Sequence, residues 1–272
     1  MMTDFIIKKL PYDLSSHAGL ALIGQYLKST HLKSLLDSAF PIRAGIANSD
    51  VLKSYIGLLS LGKNDFDAIE NFRDNDFFKR ALDLRHVPSS PTLRQRFDSF
   101  ASQWFDLMPQ INHKLLSQRV AGKPIDFGAL DCSYTPVDLD TFAMNNSFTK
   151  KELVGRTYAG LDGYCPFAVY LGSLGYCLER LPSGKFDTNY LVCQLAAVAM
   201  NLLRMIGQNT LNGTDSPVRH TAKHRRIRTV MQEIMFKAAR MIKHAGRWIF
   251  GLGESDSGFA VFERHYGQLK AA

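Results

Sequence analysis

Two tryptophans in 272 residues, four cysteines without a C-x-x-C pair, and no unbroken apolar run of membrane-spanning length are the scarcities of this chain. Cys132, Cys165, Cys177 and Cys193 are too scattered for a zinc ribbon, a thioredoxin-type centre or a small disulfide scaffold. They read as reduced thiols of a cytoplasmic protein. The best apolar stretch, Leu191 to Met200, is interrupted by Gln194 and falls short of the ~20 residues a bilayer span needs, so no membrane partner is expected. The opening Met1-Met2-Thr3-Asp4-Phe5 lacks the basic-then-apolar layout of an export signal. G-x-S-x-G, G-x-x-x-x-G-K-[ST], H-E-x-x-H and G-x-G-x-x-G are also missing, which disfavours hydrolase, kinase, zinc-protease and dinucleotide-binding chemistry.

What is present is an ordinary globular composition, 46% apolar and 21% charged, with a net charge of +8. That balance supports a packed core, and its sign makes a polyanionic partner plausible. The length suggests roughly two units or one large domain with an appendage, and the texture of the sequence divides it at 1–122, 123–178 and 179–272. The expected class is α+β.

The first segment is helical by spacing, with Leu32, Leu35, Leu36 and Phe40, then Val51, Tyr55, Leu58 and Leu59, recurring at three and four. Pro41 closes one helix, Asn48-Ser49-Asp50 caps the next, and Gly62 ends it. A polar cap at Lys63-Asn64-Asp65 opens a short helix, and Ser89-Ser90-Pro91 opens another, with Arg94 and Arg96 in its first turns. Those arginines offer a basic face to DNA, or they are the solvated side of a surface helix. Trp104 and Trp248 read as helix-packing residues.

The second segment predicts three strands: Ile125 to Ser133, then Arg156 to Leu161 and Phe167 to Leu171 flanking Asp162-Gly163-Tyr164 as a hairpin. Thr135 to Gly155 reads as a polar surface loop. Asp131, near the end of the first strand, suits the start of a metal-dependent nuclease of the ribonuclease-H type, where several carboxylates hold two divalent ions. It equally suits a turn. Asp138 and Asp140 alternate and would share one side if extended, or are solvated loop residues.

The third segment predicts a helix capped by Asp187 or Thr188, with Leu191, Leu195, Val198, Leu202, Met205 and Ile206 on one stripe, ending near Gly207. A second long helix is predicted from about Val218 to Ile249, with Ile227, Val230, Met231, Ile234, Ala238, Met241 and Ile242 on its apolar side. Its other side carries Arg219, Lys223, Arg225, Arg226, Arg228, Lys237, Arg240, Lys243 and Arg247 against one acid, Glu233, with His220, His224 and His244 interspersed. A solvated face normally mixes its signs, so this one points to phosphate contact. Phe259 to Arg264 reads as a closing strand or an extended strap.

Several stretches carry a family likeness: Gly62 to Glu70, Val87 to Arg96, Leu130-Asp131 with Thr135-Pro136 and Asp138, Ser147 to Lys151, Arg156-Thr157-Tyr158 with Asp162-Gly163-Tyr164, and Leu178-Glu179-Arg180-Leu181-Pro182-Ser183-Gly184-Lys185-Phe186. Through them the chain resembles the bacterial insertion-sequence transposases of the DDE type, the "DDE domain, group 1" set. The resemblance implies an N-terminal helical DNA-binding region, a ribonuclease-H-like catalytic domain, Mg²⁺ or Mn²⁺, and cut-and-paste movement of an element bounded by inverted repeats. Asp131 is then the first acid of the triad and a metal ligand, and the partners are the double-stranded element ends and other transposase chains.

The sequence also departs from that family. Members are considerably longer, and the tract that carries the second Asp and the Glu is missing between Leu171 and Leu178, as if an in-frame deletion had joined the two sides. Glu179 belongs to the motif after the catalytic Glu and is not assigned. The expectation is a partial sheet of about three strands, a basic helical C-terminal region, DNA binding and lost cleavage. The alternative is a non-catalytic regulator that binds DNA or dimerises with an intact transposase, and a third reading is a decayed product that folds poorly.

Overall fold

Helices form in the first segment where apolar side chains recur at three and four. The computed structural model describes residues 13–120, 123–128, 134–149, 154–181, 187–254 and 256–272. A short strand β1 (Asp13–Ser15) leads into α1 (Leu20–Ser29), α2 (Leu32–Ala39) and α3 (Asn48–Ser60). The 3-10 helix Phe66–Phe72, α4 (Asp76–Ala81), α5 (Ser90–Trp104) and α6 (Leu107–Leu116) follow. Gly62 ends α3 at φ +73°, with its N–H on the Leu59 carbonyl and the Lys63 N–H on the Leu58 carbonyl, both at 2.9 Å. This is the paired closure a left-handed glycine permits. Ser89 caps α5 through the Thr92 N–H at 3.3 Å, with Pro91 in the first turn.

The start of α3 differs in detail from the sequence reading. Its capping oxygens come from Asp37 on α2, which accepts the Ser49 N–H at 3.0 Å and the Ser49 hydroxyl at 2.7 Å. Asp50 is buried and accepts the N–H groups of Arg85 and His86 at 2.9 and 3.2 Å, so it fixes the chain after α4.

A small ribbon, β2 (Arg119–Val120) with β3 (Lys123–Pro124), precedes two three-stranded antiparallel sheets. Their strands are β4 (Val137–Thr141), β5 (Met144–Asn145), β6 (Gly155–Arg156), β7 (Asp162–Tyr164), β8 (Phe167–Leu171) and β9 (Tyr176–Leu181), in the orders β4-β8-β9 and β5-β7-β6. Three expectations are corrected here. Of the strand expected from Arg156 to Leu161, only Arg156 lies in β6 and the rest is a turn. The supposed loop from Thr135 to Gly155 carries β4 and β5. Asp162-Gly163-Tyr164, which reads as a hairpin tip because Asp-Gly is a strong turn signal, is instead the middle strand of its sheet. Gly163 is needed there because a Cβ would collide with the Met144 carbonyl of the neighbouring strand. The apparent junction from Leu171 to Leu178 is a hairpin turning through Gly172 and Gly175, both at positive φ. The strand expected over Ile125 to Ser133 is not regular through Gly128, and its remainder, with Asp131, lies outside the described residues.

α7 (Asp187–Thr210) is the longest helix described and passes the predicted end at Gly207. That glycine serves close approach: a Cβ on it would lie 2.6 Å from Val230 Cγ2. All six residues of the predicted stripe are buried, each worth about 1.5–3 kcal/mol for full burial of a large aliphatic side chain. By length and composition α7 could cross a membrane, and 67% of its most apolar window is buried within the protein, where it packs on α3, α5, α6 and β9. A buried amide clasp locks that packing. Asn201 accepts the Cys177 N–H at 2.7 Å and donates to the Cys177 carbonyl and to Asn112 Oδ1, while Asn112 donates to the Cys177 and Leu178 carbonyls.

Beyond α7 the long helix predicted from Val218 to Ile249 is overturned. Only α8 (Ile227–Val230) and the π turn Met231–Met235 are helical, and the chain then folds into β10 (Ala239–His244) and β11 (Arg247–Leu252). The apolar period changes from helical to alternating after Phe236, and Ala245-Gly246 forms a two-residue turn with φ +47° and +75°, the geometry that suits a twisted hairpin. β1 pairs with β10 to give the sheet β1-β10-β11. The tail expected as a strand or strap is α9 (Phe259–Ala271), which buries Val261, Phe262, His265 and Leu269. The fold is α+β, and a single apolar core runs from Ala18 to Leu269 through all three segments.

Candidate nucleic-acid interface

Arg94 and Arg96 both have partners within the protein, Arg94 with its side chain 49% exposed. The Arg94 guanidinium lies 3.0 Å from the Asp67 carboxylate and 3.8 Å from that of Asp65. The Ser90 hydroxyl and Arg94 hold the Asp67 carboxyl below its usual range. Arg96 donates to Asn48 Oδ1 at 2.8 Å and to the Ile46 carbonyl at 3.3 Å. Together they fasten α5 to the 3-10 helix and to the start of α3.

The C-terminal cations divide differently. Arg219, Lys223, Arg226 and Arg228 are exposed along the irregular stretch into α8. Arg225 is half-buried and donates to the Leu211 carbonyl at 2.9 Å, and Lys237 is half-buried in an ion pair with Asp256 at 2.9 Å. Because paired residues of an antiparallel sheet share a face, Arg240, Ile242 and His244 stand on one side with Gly251, Ile249 and Arg247, and Leu14 joins them opposite Arg240. Ala239, Met241 and Lys243 take the other side with Leu252, Phe250 and Trp248. The single basic helix face thus becomes an exposed, irregular cationic tract plus an outward sheet face bearing Arg240 and Arg247.

The inward face holds what the sequence reading missed. Trp104 is fully buried as expected, but Trp248 is on an edge strand and 44% exposed, with the Arg80 guanidinium 3.9 Å from its ring centroid. It walls a cleft of about 890 Å³ with Phe77, Arg80, Phe250, Phe262 and Tyr266. The alternation Trp248-Ile249-Phe250 was the available signal.

The acids do not assemble a metal site among the described residues. Asp131 lies outside them. Asp138 and Asp140 share one face of β4, exposed and opposite Tyr170 and Ala168. Asp162 is held by Arg156 at 3.1 Å, and Glu179 takes a register position opposite Val169. No group of three or more His, Cys, Asp or Glu stands within metal-holding distance among the described residues. Hard divalent ions need several oxygen ligands, and Asp138, Asp140, Asp162 and Glu179 do not gather into such a set among the described residues. Compared with protein-family models, curated proteins and solved structures, the chain matches none of them.

Proposed function

We propose that this chain is a double-stranded-DNA-binding relative of the insertion-sequence DDE transposases, shortened within its ribonuclease-H-like sheet and without strand cleavage of its own. It acts by occupying element ends or by joining intact transposase chains in mixed oligomers. The observation that carries the reading is the exposed cationic run Arg219, Lys223, Arg226 and Arg228, continued by Arg240 and Arg247, with Glu233 the sole acid from 218 to 247. Such a surface neutralises backbone phosphates without reading bases. The small antiparallel sheet β4-β8-β9, packed through β9 on α7, supports a partial sheet of this type. Val137 and Leu139 on β4, 53% and 63% exposed, are apolar surface that further strands or a covering helix would bury.

Filter binding of a short duplex across a salt series tests the reading. Each neutralised phosphate contributes about −0.9 to the log–log salt slope, so Arg226→Gln with Arg228→Gln is expected to flatten it by about two. A slope that does not move removes these arginines from the interface, and no binding at low salt ends the reading. Nicking of supercoiled plasmid in Mn²⁺ is expected to be absent. Nicking that disappears in Asp131→Ala would restore catalysis to this chain.

A further inference from the structure

A second pocket, of about 440 Å³, lies between α1, α2 and the turn that ends α4, and its walls include Lys28, Lys33, Lys53, Arg85, Asp37 and Asp83. Lys53, from α3, is the buried member: its side chain is 5% exposed, and its ammonium donates to the Asp83 carbonyl and lies 3.7 Å from the Asp83 carboxylate. The two acids in the wall are already engaged, Asp83 by Lys53 and Asp37 by the N–H and hydroxyl of Ser49. Lys28, Lys33 and Arg85 enter none of the ion pairs among the described residues. Burial, and then the like charge of Lys33, push the Lys53 ammonium below its usual value even though Asp83, Asp50 and Asp37 pull the other way.

The pocket is therefore left with an excess of positive charge that an anion would satisfy. The first turn of α2 adds to it: His31, Lys33 and Ser34 line the pocket, and no side chain of His31 caps that helix. The Leu32 N–H is taken by the Thr30 hydroxyl at 3.3 Å, and the dipole of the helix start still favours an anion. Three cations at the mouth and one buried ammonium behind suit a multiply charged tetrahedral oxyanion better than a single carboxylate. The volume exceeds that of a bare ion.

We propose that this pocket binds a phosphate group, with Lys28, Lys33 and Arg85 closing on its oxygens and Lys53 supplying the fixed charge. The group belongs either to a phosphomonoester or to a DNA backbone, and the site stands whether or not the DNA reading holds.

Calorimetric titration of the full chain with inorganic phosphate, at ionic strength matched with chloride, tests it. Lys53→Met removes a buried pair and risks the fold, so the informative variant is Lys33→Gln with Arg85→Gln, both at the mouth. Saturable binding weakened about tenfold or more in that variant, with its melting temperature unchanged, is the expected result. No saturable binding, or binding indifferent to the double substitution, overturns the site. A duplex arm assigns the source: displacement of phosphate by DNA identifies a backbone phosphate, and simultaneous binding identifies a free phosphomonoester, the site being upheld in both cases. A chain that takes phosphate but no duplex keeps this site and loses the DNA reading.

Discussion

Tyr26 on α1 and His265 on α9 meet at 3.0 Å inside the core, neither exposed to solvent. Asn209 donates to the Tyr26 hydroxyl at 3.3 Å, which leaves that hydroxyl's own proton available to the Nε2 of a neutral His265. Burial lowers the His265 pKa to about 4, with the Arg264 charge assisting and Gln268 opposing, and burial pushes the Tyr26 phenol up. The native value is depressed, so the unfolded chain binds the extra proton first as pH falls below 6.5. Stability from this histidine is full at pH 7 and is lost progressively from 6.5 down to about 4. Between pH 7 and 5 the expected loss is about 2 kcal/mol. Urea denaturation at the two pH values checks it, with His265→Asn as the reference in which this component vanishes. An identical pH response in both proteins would sink the assignment. The same scale explains why the intramolecular partners of Arg94 and Arg96 were not legible. Their positions are plain in sequence, but the partners that absorb them, Asp67 and Asn48, stand 27 and 48 residues earlier, and local spacing carries no record of that.

Among the elements, those whose cause is local were the legible ones. α3, α5 and α7 follow from apolar residues at helical spacing and from end signals within a few residues, such as Ser89 before Pro91 and Gly62 after Leu61. The hairpin β10–β11 was not, because Ile227, Val230, Met231 and Ile234 set a helical period that Ala238, Met241 and Ile242 happen to continue. Its strands are held by β1, more than two hundred residues away in sequence, by burial of Met241, and by the ring contacts of Phe250 with Phe77 and Phe262. The turn itself gives a prediction. Ala245 has φ +47° without the side chain that tolerates it, and Asn is favoured before Gly in this type of turn. Ala245→Asn is expected to stabilise the protein by about 0.5 kcal/mol, within the range for relieving such a conformation. A melting temperature that falls would show that the turn is not limiting or that the hairpin adopts another geometry. The candidate metal acid was legible only through the family resemblance, since one Asp near a strand end is chemically ambiguous.

Across the whole molecule, charge and uncovered apolar surface are set at different places, and this division bears on how copies meet. The excess of cations over acids lies mostly in the C-terminal third, while Tyr134, Val137, Leu139, Met144, Phe148, Tyr158, Leu161 and Leu178, most of the exposed large apolar residues described, fall in the middle segment. Among the described residues β4 is an edge of its sheet and is exposed at every position, an invitation to pair with a strand from another copy. Two such strands meeting antiparallel about Leu139 would set Asp138 opposite Asp140 twice over. Like charges directly opposite across strands are destabilising, so these two carboxylates serve to keep β4 unpaired with itself, whatever else they do. Removing them tests that role without touching the core: Asp138→Asn with Asp140→Asn is expected to leave the melting temperature nearly unchanged while raising light scattering at matched concentration and low salt. High salt screens exposed charges, so the wild-type chain should move toward the variant as salt is added. If the double variant stays as monodisperse as the parent at every salt concentration, the edge is guarded by its twist or its neighbours and the electrostatic account of β4 fails.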